Sequence, residues 1–176
     1  GSHAYRVSFG IWQKTIDLET GKLGPEPWID LWNGTGGTAP EGPHIYKKDG
    51  WYYLMIAEGG TGLTHEETMA RSRNINGPYT PYSNNPVLTN ANTTQYFQTV
   101  GHADLFQDAD ENWWGVALST RSGPDYITYP MGRETVLTPV SWPEDDYPHF
   151  DPVRGTQSGP LLPVNSNFPG QGQYVD

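Results

Sequence analysis

Glu41 stands between two prolines in Ala39-Pro40-Glu41-Gly42-Pro43, directly ahead of the aromatic run Trp51-Tyr52-Tyr53-Leu54. The prolines fix φ on either side, so the carboxyl is presented by stiff backbone. A carboxylic acid held in this way can donate a proton; a solvated surface turn is the alternative. His102 and Asp104 lie two residues apart, on one face of a strand, where the carboxylate either orients the imidazole or pairs within the sheet. The histidine itself either reaches a ligand or bonds to neighbouring backbone. Arg133 offers several fixed donors, suited to ligand hydroxyls or to a salt bridge with Glu134 or a later acidic residue. Gly59-Gly60-Thr61 alone reads as a turn.

Other chemistries fail on spacing. Gly34-Thr35-Gly36-Gly37 has no following Gly-Lys-Ser/Thr, His65-Glu66-Glu67 lacks the second histidine of a zinc helix, and no Gly-x-Ser-x-Gly elbow occurs. With no cysteine in 176 residues, disulfides and thiolate metal sites are ruled out. A formal charge of -10 argues against nucleic acid or an anionic membrane as partner. No apolar run approaches the roughly 18 residues of a membrane helix, and no signal peptide opens the chain. Gly1-Ser2-His3, an expression scar or native sequence, carries no inference.

The elements that must position these side chains are strands. With 21 Gly, 16 Pro, 7 Trp, 11 Tyr and only 17% charged residues, the chain reads as short strands joined by turns, and its length suits one domain. A hairpin is expected around the turn Lys47 to Gly50. A second, around Gln107 to Asn112, repeats it about 60 residues later. Further strands are expected at 68–72 and 132–140, and an isolated one at 11–18. The best helical candidate, His65 to Arg71, is short and reads better as a loop entering a strand. Alternation points Trp51 and Tyr53 one way and Tyr52 the other, so only a fraction of Trp51, Tyr52, Trp113 and Trp114 can serve as stacking platforms for a ligand. After Trp142 the composition shifts to Pro, Asp and Gly, as in an extended linker.

Three blocks, in order, resemble glycoside hydrolase family 43, the β-xylosidases and α-L-arabinofuranosidases. They are Glu41 to Leu54 with Ala57-Glu58-Gly59-Gly60-Thr61, then Gly101-His102-Ala103-Asp104-Leu105 with Trp113-Trp114, then Gly132-Arg133-Glu134-Thr135. The match covers roughly residues 10 to 163.

That resemblance implies a five-bladed β-propeller, all-β, of which this chain carries about two to three blades in residues 1–143. Residues 144–176 would then be linker toward an absent β-sandwich. It implies exo-acting, inverting hydrolysis of terminal β-D-xylosyl or α-L-arabinofuranosyl residues from hemicellulose. Glu41 would be the general acid, His102, Arg133 and Thr61 would contact substrate, and Arg121 would be a less certain addition. His102 would also be the ligand if calcium, the one optional ion, sits on the propeller axis. The catalytic base and a second, acid-tuning Asp find no counterpart here, since Asp17 and Asp30 lie in no matching motif. They are expected on missing blades or a companion chain, which leaves a non-catalytic carbohydrate-binding or scaffold fragment as the alternative. The family, together with the sequons Asn33-Gly34-Thr35 and Asn92-Thr93-Thr94, points to an extracellular protein.

Overall fold

Gly and Pro punctuate this chain so often that no apolar run exceeds a strand's length, and the computed structural model, which describes residues 2–7 and 9–155, is all-β. Its strands form three antiparallel sheets. In the first, β1 (Ser2–Val7), β2 (Ile11–Ile16) and β3 (Ile29–Trp32) lie in chain order. The second runs β4 (Glu41–Lys48), β5 (Trp51–Glu58), β6 (Glu66–Ser72) and β7 (Thr80–Pro81), with β8 (Leu88–Thr89) also paired to β6. The third contains β9 (Phe97–Gln107), β10 (Trp113–Arg121), β11 (Glu134–Ser141) and β12 (His149–Phe150), in the order β12-β11-β10-β9.

Both expected hairpins form. Lys48 pairs with Trp51 across Asp49 and Gly50, whose φ values of 49° and 74° give the twist that a two-residue hairpin turn requires. At the second turn the Asp108 carboxylate accepts the amides of Asp110 and Asn112, both at 2.9 Å, and the Trp114 indole N–H at 2.8 Å. The strand expected to be isolated at 11–18 is not isolated. Its residues 11–16 form the centre of a sheet, paired to β1 from Ser2↔Ile16 to Val7↔Ile11 and to β3. Tyr5 to Val7 give too short an alternation to read as a strand without that partner.

The sheets pack face to face through two apolar layers. Leu54, Ile56 and Ala70 of the middle sheet meet Ile11, Leu31 and Trp32 of the first. Tyr53, Met55 and Met69 point the other way, onto Val100, Ala103, Leu105 and Ala117 of the third. The middle sheet is thus covered on both sides, which is why Tyr53 to Glu58 read as one unbroken buried run. Each large aliphatic side chain of these layers, such as Leu54, Met55 or Ile56, contributes about 1.5–3 kcal/mol on burial.

Residues 144–155, expected as linker, lie against the third sheet: Phe150 pairs with Val140, and Tyr147 and Val153 are buried in the second apolar layer. Residues 156–176 of that expected linker fall outside the described residues.

Candidate functional site

Two β-bulges build the site. On β4, Glu41 pairs with Ala57 and His44 with Met55, so Gly42 and Pro43 together stand opposite one residue of β5. On β9, Asp104 pairs with Val116 and Gly101 with Leu118, so His102 and Ala103 stand opposite Ala117 alone. Bulges bend a strand and re-aim its side chains. Gly42 has φ 58° and His102 has φ 53°. For histidine that left-handed conformation costs about 1–2 kcal/mol, so the surrounding structure has to enforce it.

The two bulges face each other across neighbouring sheets, and His102 Nδ1 comes within 3.5 Å of Glu41 Oε1. Both side chains are a little over one-third exposed, 38% and 37%, open to solvent yet held. A Cβ on Gly42 would fall 2.6 Å from His102 Nε2, so the turn that presents Glu41 must also be glycine to admit the imidazole.

Beneath this pair lies His65, 2% exposed. Its Nδ1 donates to the Thr99 carbonyl at 2.8 Å, and its ring meets His102 edge-on at 6.5 Å between centroids. Burial lowers the pKa of His65. The Thr99 carbonyl opposes that, as does Glu41, while the nearby His102 and Arg133 add to it. A ring kept neutral with its proton on Nδ1 leaves Nε2 as an acceptor, and that atom is buried with no partner among the described residues. Gly101 again has to be glycine, because a Cβ there would sit 2.7 Å from the His65 ring.

Arg133 lies exposed just ahead of β11, and its charge is felt at the same His65. Of the two roles open to it in the sequence, the salt bridge with Glu134 goes to another residue. Arg121 takes Glu134 in a forked contact, with Nε at 2.8 Å from Oε2 and Nη2 at 2.7 Å from Oε1. Thr61 is exposed in the turn after β5, beyond the end of the strand where Ala57 pairs with Glu41. Glu41, His102, Arg133 and Thr61 therefore belong to one end of the sheets. His65, to which no motif of the sequence assigns a role, joins them.

Asp104 does not orient His102. The left-handed turn at 102 breaks the two-residue alternation, and Asp104 instead accepts from the Tyr46 hydroxyl at 2.5 Å, with His44 3.4 Å away. Burial, reinforced by that hydrogen bond, pushes the Tyr46 phenol well up. The aromatic side chains weighed as platforms sit elsewhere. Trp51 and Trp113 pair with Lys48 and Gln107 at the hairpin-turn ends of their strands, about 20 Å along β4 from Glu41. Trp114 is fully buried.

Gly34-Thr35-Gly36-Gly37, which lacks the rest of a phosphate loop, proves to be a cradle for a carboxylate of the protein itself. Glu58, wholly buried, accepts the amides of Thr35 and Gly37 at 2.9 Å each, as well as the hydroxyls of Thr35 and Thr68. A Cβ on Gly34 would fall 2.4 Å from that carboxylate. The cradle anchors the loop that leads into Glu41.

Of the two upstream aspartates, Asp17 is occupied by its own turn, accepting from the Glu19 amide at 2.9 Å and the Thr20 hydroxyl at 2.8 Å. No three His, Cys, Asp or Glu side chains converge among the described residues.

A half-buried glutamate beside an imidazole, with a guanidinium near, on face-packed antiparallel sheets, is what this all-β chain gathers at one end. The model for "Glycosyl hydrolases family 43" matches residues 3–148, and the chain belongs to that family. It is 46% identical over 134 residues to the "Non-reducing end alpha-L-arabinofuranosidase" of Bacteroides ovatus, covering 76% of this chain and 25% of that protein. It is 40% identical over 155 residues to a "Xylosidase/arabinosidase" of Butyrivibrio fibrisolvens, covering 86% and 29%. Among solved structures, a xylan β-1,4-xylosidase of Bacillus halodurans superposes with a TM-score of 0.81 at 33% identity, over 89% of this chain and 31% of that one. The chain thus spans between a quarter and a third of the length of these relatives.

Proposed function

We propose that this chain is the acid-bearing part of a family 43 exo-glycosidase that removes terminal β-D-xylosyl or α-L-arabinofuranosyl residues from arabinoxylan and its oligomers by inversion. The observation that carries this reading is the Glu41–His102 contact at 3.5 Å between two opposed bulges. The names of the relatives, which cover both sugars, support the substrate class.

In the reaction, Glu41 protonates the glycosidic oxygen as its bond to the anomeric carbon breaks. A water, deprotonated by a carboxylate base on the opposite face, forms the new bond. That base and the acid-tuning aspartate lie on further blades of a five-bladed propeller, outside this chain. His102, Arg133 and Thr61 bind sugar hydroxyls, the guanidinium supplying fixed donors. A secreted location suits a polymeric plant substrate.

The test is to supply the missing length and assay aryl β-xyloside and aryl α-arabinofuranoside. Hydrolysis that is lost in Glu41→Gln supports the acid role, and hydrolysis that persists at the wild-type rate ends it. Calorimetry with xylo-oligosaccharides on the 176-residue chain alone separates the second reading. With one carboxylate of the pair, the chain is expected to bind sugar without releasing product.

A further inference from the structure

Glu67 occupies a position that the strand pattern reserves for an apolar side chain. It lies on β6 two residues before Met69, which packs into the layer between the second and third sheets, and it is itself wholly buried. A buried carboxyl is costly unless specific donors compensate it. Here the donors come from the His102 bulge. Oε1 of Glu67 accepts the Ala103 amide at 2.6 Å, and the His102 amide is directed at the same carboxyl. Both amides belong to the two residues that stand against Ala117 alone, so ordinary pairing with β10 cannot satisfy them.

We infer that Glu67 is a positioning residue of the site: by accepting the bulge amides it holds His102 in its left-handed conformation and keeps the imidazole against Glu41. His65, two residues earlier on the same side of the chain, completes the support by bonding to the Thr99 carbonyl and presenting its ring to His102. Thr99, with φ 58°, lies at the other irregularity of β9, so the two side chains brace the strand on both sides of Gly101. Burial pushes the Glu67 carboxyl well above its ordinary range, opposed by the two amides. Protonation leaves the Ala103 contact in place, because the proton can reside on Oε2, which has no partner among the described residues, while Oε1 goes on accepting.

The consequence for hydrolysis rests on Glu41 being the acid; the placement of His102 does not. Two variants test both parts. Glu67→Gln keeps a carbonyl oxygen in place of Oε1, and Glu67→Leu keeps bulk but no acceptor. In the 176-residue chain, side-chain NMR of His102 is expected to give wild-type ring chemical shifts in Glu67→Gln and displaced ones in Glu67→Leu. In the extended polypeptide, Glu67→Leu is expected to lower kcat about tenfold, the equivalent of one good hydrogen bond, with KM little changed and Glu67→Gln restoring kcat. Wild-type His102 signals in Glu67→Leu overturn the inference, and so does a Gln variant as impaired as Leu. If Glu67→Leu does not fold, the wild-type chain still decides. A through-hydrogen-bond coupling between the Ala103 amide nitrogen and the Glu67 carboxyl carbon is expected, and its absence overturns the proposal. A displaced His102 in Glu67→Leu alongside full hydrolysis by Glu41→Gln upholds the positioning role and rejects only the acid assignment.

Discussion

His102 Nδ1 and Glu41 Oε1 approach to 3.5 Å only because each strand is bulged at that point, one with Gly42 and the other with His102 itself in the left-handed region. Regular pairing alternates side chains strictly across a sheet, and both residues depend on its being broken. The first prediction follows from the exposure and reach of this pair. Glu41→Gln keeps the shape and removes the proton. In the extended polypeptide it should lower kcat by about 10²–10⁴-fold on substrates with poor leaving groups. Oligosaccharide affinity, measured by calorimetry, should stay near wild type. A variant that loses affinity and keeps turnover would make Glu41 a binding residue instead.

Gly42→Ala tests the bulge on β4. The substitution places a Cβ 2.6 Å from the His102 ring and forces a non-glycine residue to φ 58°. The conformational penalty alone is about 1–2 kcal/mol. Urea denaturation should show at least that loss, and the His102 ring signals should move. Unchanged stability would mean that the turn relaxes to another conformation, so that neither prolines nor glycine hold Glu41 in place.

Glu58→Ala addresses the loop before the acid. Removing the carboxylate takes the acceptor away from the partly exposed Thr35 and Gly37 amides, at a cost of about 0.5–1.5 kcal/mol for each hydrogen bond lost. Chemical denaturation should register the loss. Hydrogen exchange should accelerate first at Thr35 and Gly37, while the core of β5 stays protected. Acceleration spread evenly over the sheets would mean that Glu58 supports the whole fold rather than this loop.

Arg121 and Arg133 should separate stability from binding. Arg121 is half exposed and paired to Glu134, and exposed pairs contribute about 0–1 kcal/mol. Arg121→Ala should therefore cost little stability and leave sugar affinity intact. Arg133 forms no ion pair among the described residues and faces the His65 and His102 end of the site. Arg133→Ala should weaken oligosaccharide binding about tenfold, as expected for loss of charged hydrogen bonds, with an unchanged denaturation midpoint. If the two variants behave alike, the assignment of Arg133 to the ligand is wrong.

The hairpins were legible because local chemistry dictates them. Asp49-Gly50 can make the required turn, and Asp108 can close the second one on itself. The motifs singled out Glu41, His102 and Arg133 one by one, and it takes the opposed bulges of β4 and β9 to bring the first two together. Hidden were Glu58, Glu67 and His65, because their partners are backbone groups exposed by irregularities elsewhere: the amides of a glycine cradle, the amides of a bulge and the carbonyl of Thr99. Only one signal pointed toward them. Glu58 ends an otherwise apolar buried run, and Glu67 stands two residues before Met69, so each is a carboxylate where the period-two pattern asks for an apolar residue. Asp104 failed for the converse reason. Its alternation with His102 holds for a regular strand and is undone by the left-handed conformation of His102 itself.

Buried His65 gives the site a pH signature whose sign is fixed by its environment. Burial lowers its folded pKa below the ordinary value of 6.5. As pH falls through about 6.5, the unfolded chain binds a proton that the folded one refuses, so stability declines until the depressed folded value is passed. The slope cannot exceed about 1.4 kcal/mol per pH unit for one group. Glu67 acts in the opposite sense. Its folded pKa is raised, so its contribution is complete below the unfolded value near 4.5 and is lost as pH rises. Glu41, His102 and Arg133 face the same imidazole, so the informative quantity is a difference between variants. His65→Gln retains an N–H for the Thr99 carbonyl and cannot ionise. Urea denaturation of wild type and His65→Gln between pH 7.5 and 4.5 should give curves that converge toward acid, the wild type losing stability faster. Parallel curves would mean that His65 takes up its proton equally in both states, and that the edge of the imidazole beneath His102 is not sealed from water.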